Sequence, residues 1–159
     1  MSTENSNPIQ KITTLKKKSE YYYDMPIFQK IHMEGKDASL ITSVVAELKK
    51  MTCVRSVILF GSYARNEQKP LSDIDICIIT EKKISPLQKR RIASLGSKKV
   101  RISLFWDLPS SVRYAALRDR RLLFNRNKDF FHESLVQTMS EYLDFQHILQ
   151  KNIKEALEI

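Results

Sequence analysis

Two apolar runs set the frame. Val54–Phe60 (VRSVILF) is rich in β-branched residues and ends at Gly61, and Asp73–Thr80 (DIDICIIT) repeats the pattern after a polar stretch. Such runs, bounded by Gly, Asn, Pro and Ser, read as strands joined by a turn, so the chain must build a sheet and cover it. Helical patterns are at hand to do so. Leu40, Ile41, Val44, Val45 and Leu48 recur at helical spacing behind Asp37, which suits the cap of a helix from Ala38 to about Met51. Ser62–Asn66 reads as the start of a short helix, Ser85–Leu95 as a polar, basic helix stopped near Gly96, and Val100–Trp106 as a third strand. A helix capped by Ser110 or Ser111 runs through Ala116, and Leu122–Phe124 reads as a short strand. Phe130–Leu157 reads as a long helix with Leu135, Met139, Tyr142, Leu149, Ile153 and Leu157 on one broad stripe. This order predicts an α/β (α+β) fold: a small mixed β-sheet, helices covering one face, and C-terminal helices. The expected organisation is a flexible tail over 1–24, a sheet-bearing domain over 25–125 and a helical extension packed on it over 126–159.

A chain of 159 residues is long enough to bury a core without staples. Cys53 and Cys77 both fall inside apolar runs and read as buried thiols, and the three histidines (His32, His132, His147) show no zinc-ligand spacing. No apolar run reaches a membrane span and no secretion-signal pattern opens the chain, so the expectation is a cytoplasmic protein with no membrane partner. The net charge of +9 is unevenly spread: residues 82–121 hold twelve Lys/Arg against Asp107 and Asp119. The remaining residues carry fifteen Lys/Arg and sixteen acids, so the basic excess belongs to that one stretch. It points to a polyanion, whether nucleotide phosphates, RNA or an acidic protein surface; a solvated basic face is the plainer reading.

Chemistry concentrates between the first two strands. Gly61 ends a strand where a residue without Cβ lets the backbone turn and a ligand approach. Ser62 offers a hydroxyl and a backbone N–H at a helix start, a natural seat for phosphate. Asp73 and Asp75, two apart on a strand, project from the same face. Two neighbouring carboxylates need cations between them, and Mg²⁺ is commonly held by one or two carboxylates together with substrate phosphates. The outline is a metal–nucleotide site.

Gly61-Ser62, ten residues, then Asp73-x-Asp75 resembles the signature of the DNA polymerase β-like nucleotidyltransferase superfamily, and FGSYARNEQKPLSDIDICII over residues 60–79 is similar to the minimal nucleotidyltransferases (MNT type) of bacteria and archaea. DLPSSVR at Asp107–Arg113 fits the same group, and the likeness spans roughly Ala38–Arg113. The resemblance implies a nucleotidyltransferase domain over 25–125 and transfer of a nucleotidyl group from ATP or another NTP. Asp73 and Asp75 would be the catalytic Mg²⁺ ligands, and Gly61 and Ser62 would hold the triphosphate. Arg65 stands where the family commonly has an arginine; it would touch phosphate or bridge to an acid on the protein surface. Small members of the family are often antitoxins of HEPN-type ribonuclease toxins, some of which they silence by adenylylating a tyrosine.

One departure from the family pattern weighs against catalysis. Active members carry a third carboxylate on a later strand, and here that position falls at Arg101, or less closely at Ser103. Asp107 lies about 20 Å from Arg101 along an extended strand at roughly 3.3 Å per residue. Three readings stay open: an enzyme with a weakened second metal, a catalytically degenerate nucleotide- or partner-binding module, or another acid supplying the third ligand. Arg101 would stand in for one cation or grip a phosphate. A plain nucleic-acid-binding protein with no nucleotide site is the remaining hypothesis, resting on the basic stretch alone. Cys77, on the Asp75 face, reads as a small core residue rather than a nucleophile, Trp106 as core, and Phe105 as packing rather than a base-stacking platform. His132 and His147 read as surface or satisfied histidines.

Overall fold

The computed structural model describes residues 35–158. The tail expected over 1–24 lies outside them. The described chain runs α1 (Gly35–Lys49), β1 (Val54–Phe60), α2 (Gly61–Ala64), β2 (Ile74–Thr80), α3 (Pro86–Ala93), β3 (Val100–Leu104), a 3-10 turn (Phe105–Asp107), α4 (Ser110–Asp119), β4 (Arg121–Asn125) and α5 (Lys128–Leu157). The strands form one sheet in the order β3-β2-β1-β4. β1 is antiparallel to β2 and β4, and β2 is parallel to β3. This is the mixed sheet with helices that the sequence implies.

The two central strands are largely apolar because both of their faces are covered. On one face Val57, Leu59, Ile74, Ile76 and Ile78 meet Ile41, Val44, Val45 and Leu48 of α1 and Ile92 of α3. On the other, Ile58, Cys77 and Ile79 meet Phe105, Leu117 of α4, and Phe131 and Leu135 of α5. The helical cover is thus wider than the one face expected. Each large side chain buried here is worth roughly 1.5–3 kcal/mol.

Element ends differ from the sequence reading where tertiary contacts decide them. β3 stops at Leu104 rather than Trp106, because Phe105 turns in to complete the second cluster, fully buried. Trp106 is only partly buried; its indole N–H donates to the Thr80 carbonyl at 2.8 Å and its ring meets Phe105 edge-on at 5.0 Å. α1 starts at Gly35, which puts Asp37 in its first turn, where it accepts a hydrogen bond from the Tyr63 hydroxyl at 2.8 Å. Ser85 and Gln88 form a reciprocal capping box on α3. Asn127 caps α5 by accepting from the Phe130 amide at 3.1 Å. α5 is about 45 Å long at 1.5 Å per residue. Phe131, Leu135 and Met139 are buried near its start, whereas Phe145, Leu149, Ile153 and Leu157 are exposed farther along.

Candidate active site

Gly61 is the pivot of the site. It takes φ +73°, a left-handed value that disfavours any side chain, as β1 passes directly into the single turn of α2. A Cβ on it would stand 2.7 Å from Asp75 Oδ2. The missing side chain therefore makes room for the Asp75 carboxylate to lie against the backbone of the turn. The strands fix this approach: Phe60, the last residue of β1, is registered opposite Asp75 on β2. Ser62 follows on the first turn, and its carbonyl accepts from the Glu67 amide at 2.9 Å, folding the connecting loop back.

Asp73 enters just before β2 and shares its face with Asp75. The loop is anchored from β3's approach: Lys99 Nζ donates to the Ser72 carbonyl at 2.7 Å, and the Ile74 amide donates to the Lys99 carbonyl at 2.8 Å. The same lysine lies over the Tyr63 ring at 5.5 Å. Neither Lys99 nor the Tyr63–Asp37 bond was legible in sequence, since both join segments distant in the chain and neither has a local motif.

Arg101 is registered opposite Asp75 across the parallel β2–β3 pair. Its Nη2 donates to Asp73 Oδ2 at 2.8 Å, and its Nη1 lies 3.8 Å from Asp75 Oδ1. One guanidinium thus spans both carboxylates. The pair is solvent-facing, with the Arg101 side chain 66% and Asp73 38% exposed, so it contributes about 0–1 kcal/mol to stability. Asp75 is more enclosed. Burial pushes its carboxyl above the ordinary range; Arg101 pulls it down, Asp73 pushes it up and Arg65 pulls it down, and burial prevails.

Arg65 ends α2 and is engaged with acids. Its Nε bonds Glu67 Oε2 and its Nη1 bonds Asp119 Oδ2, both at 2.9 Å. Asp119 also accepts from Arg118 Nε at 2.9 Å. Of the two roles weighed for Arg65, these bonds are those of the bridge to an acid. Cys77 shares the Asp75 face but is fully buried, and burial holds its thiol up to about 12, so it is no nucleophile at neutral pH. Asp107 is paired with Lys89 at 3.1 Å. No group of three or more His, Cys, Asp or Glu able to hold a metal occurs among the described residues. No described helix is long and apolar enough to cross a membrane.

Many cations of the basic stretch are tied down in the fold. Arg113 donates to the Leu108 carbonyl, Arg120 to Leu117 and Arg121 to Ala64. Lys83, Arg90, Arg91 and Lys98 are exposed.

A family model described as polymerase beta, nucleotidyltransferase, matches residues 42–129, more than half of the chain. The chain belongs to the polymerase β nucleotidyltransferase family. The matched range carries Gly61, Ser62, Asp73, Asp75 and Arg101, so the site lies wholly within the nucleotidyltransferase region. Two Methanocaldococcus jannaschii proteins, provisionally named protein adenylyltransferases, are similar in sequence. One is 32% identical over 46% of this chain and 58% of its own length. The other is 55% identical over 26% of this chain and 43% of its own length. The chain thus spans about half the length of these curated relatives. Among solved structures, a chain of a toxin–antitoxin crystal structure with AMP-PNP superposes with a TM-score of 0.57 at 20% identity, covering 75% of this chain and 97% of its own. A chain from a structure of a tri-AMPylated Shewanella oneidensis HEPN toxin with its MNT antitoxin gives 0.55 at 17% identity, covering 79% and 99%. At these identities the likeness establishes the nucleotidyltransferase fold.

Proposed function

We propose that this protein moves AMP from ATP to an acceptor hydroxyl on a protein or nucleic acid, and that it serves as the antitoxin of a HEPN-type toxin. The carrying observation is the approach of Asp75 Oδ2 to the Cβ-less Gly61, with Asp73 on the same sheet face. A phosphate seated on the Gly61–Ser62 turn lies within reach of both carboxylates. The names of the M. jannaschii relatives support adenylyl transfer, and the toxin–antitoxin structures with AMP-PNP and with an AMPylated toxin support both the nucleotide and the partner.

In this reading the acceptor hydroxyl oxygen forms a bond to the α-phosphorus and gives its proton to water, the bond to the bridging oxygen breaks, and pyrophosphate leaves. Mg²⁺, held by Asp73 and Asp75, would neutralise phosphate charge and orient the α-phosphorus for in-line attack. The donor set would fit one such ion: two carboxylates close enough for a single guanidinium to reach both. Ser62 supplies hydroxyl and amide donors to the phosphates. Arg65 holds α2 against Asp119 at the end of α4, and touching phosphate would require it to leave its acids. The exposed apolar residues late in α5 offer a surface for the partner. RNA contact, if the basic stretch serves one, falls on Lys83, Arg90, Arg91 and Lys98. The nucleotide substrate makes the reading one of a cytoplasmic protein.

A second reading draws on Arg101: a degenerate module that binds nucleotide or toxin without transfer. Incubation of the full chain with α-labelled ATP and its HEPN-type partner separates the two. The proposal expects label on the partner and none with Asp73→Ala/Asp75→Ala. No transfer by the wild type, or equal transfer by the variant, would overturn it.

A further inference from the structure

The structure assigns Arg101 the place of a second cation: we infer that the site takes a single divalent ion, with the guanidinium as a built-in replacement for the other. The inference rests on the nucleotide reading above and specifies its metal count. Four observations carry it. The β2–β3 register sets Arg101 directly beside Asp75 on the same face. One guanidinium reaches Asp73 Oδ2 at 2.8 Å and stands 3.8 Å from Asp75 Oδ1, so it occupies the flank where an ion bridging these two oxygens would sit. Asp75 Oδ2 lies on its other side, close against Gly61. And no third acid, histidine or cysteine joins the pair to complete a second ligand set among the described residues.

Charge makes the exchange self-consistent. A carboxylate with a divalent ion and a lone guanidinium carry the same formal charge, so a site with two acids, one arginine and one ion presents a triphosphate with the same net charge as three acids and two ions. A guanidinium differs in what else it offers. It donates hydrogen bonds in a fixed fork and cannot coordinate the acceptor oxygen. Arg101 is therefore a positioning residue for Asp73, Asp75 and the phosphates, and activation of the acceptor falls to other groups.

Counting bound Mn²⁺ tests this. The full chain is titrated with Mn²⁺ in the presence of an ATP analogue whose α,β-bridging oxygen is methylene, and free Mn²⁺ is read by electron paramagnetic resonance. The inference expects one protein-dependent ion per nucleotide complex in the wild type and in Arg101→Lys, and two in Arg101→Asp. Without nucleotide, Arg101→Gln binds Mn²⁺ roughly tenfold more tightly than the wild type, since a cation next to the ion has gone. The solvent-facing position makes all three variants compatible with folding, and circular dichroism of each is the check. Nucleotide bound with two ions in the wild type, or one ion in a folded Arg101→Asp, overturns the inference while leaving the nucleotide reading intact. Absence of any nucleotide binding by the wild type overturns both.

Discussion

At Gly61 the backbone and the chemistry make the same demand. Its φ of +73° suits glycine, and a methyl group there would collide with Asp75 Oδ2. Gly61→Ala should cost about 1–2 kcal/mol of stability from backbone strain alone and displace the Asp75 carboxylate. Denaturant unfolding beside nucleotide titration measures both; unaltered nucleotide affinity in the variant would contradict the site. The single residues of this site divide by how they were legible. Asp73 and Asp75 could be placed on one face from strand parity alone, a local rule. Arg101 was reached only through the family resemblance, by counting back from Asp107-Leu108-Pro109 to the position of the usual third acid. Lys99 holding the Ser72 carbonyl and Tyr63 reaching Asp37 follow no such rule, because they depend on how separate elements come to lie together. Arg65 was readable as an arginine at the rim, but its partner Asp119, 54 positions on, was not.

Elements were legible where their own residues dictate them. β1 was read at its observed bounds, since a β-branched, mostly apolar run ending in glycine leaves little choice. β3 was read two residues too long, because Phe105 and Trp106 have good strand propensity and only the second hydrophobic cluster draws them into a 3-10 turn. That cluster also explains the cover on the sheet's second face, which periodicity within α4 and α5 does not specify. Two predictions belong at this scale. Burial works to raise the Asp119 carboxyl, but hydrogen bonds from Arg118 and Arg65 outweigh it and hold it below the ordinary range. A carboxylate depressed on folding stabilises above its unfolded-state value near 3.9, and that stabilisation is lost as pH falls through the lower folded value. Asp119→Asn should therefore lower stability at pH 7 and flatten its decline below about pH 4; a pH series of denaturant melts checks this, and parallel curves for both proteins would refute it. The second concerns α5. Phe131→Ala should cost about 3–5 kcal/mol because its ring fills the space beneath the sheet. Ending the chain after Asp144 should cost no more than about 0.5 kcal/mol, since it removes mostly exposed turns. Melting both variants against the full chain separates the packed half of the helix from the projecting half.

For the whole molecule, the basic stretch is the feature that sequence and structure weigh differently. As composition it is a strong polyanion signal. In the fold, Lys99, Arg113, Arg120 and Arg121 bond backbone carbonyls and Arg101 bonds the acids of the site, so much of that charge is spent on holding elements together. The ligand site we propose is the edge formed by the Gly61–Ser62 turn with Asp73 and Asp75. Calorimetric titration of ATP into the full chain, once with Mg²⁺ and once with a chelator, tests that assignment most directly. Wild-type binding should be roughly tenfold tighter with Mg²⁺, a difference that disappears in Asp73→Asn/Asp75→Asn; equal affinity of the wild type in both conditions would contradict the assignment.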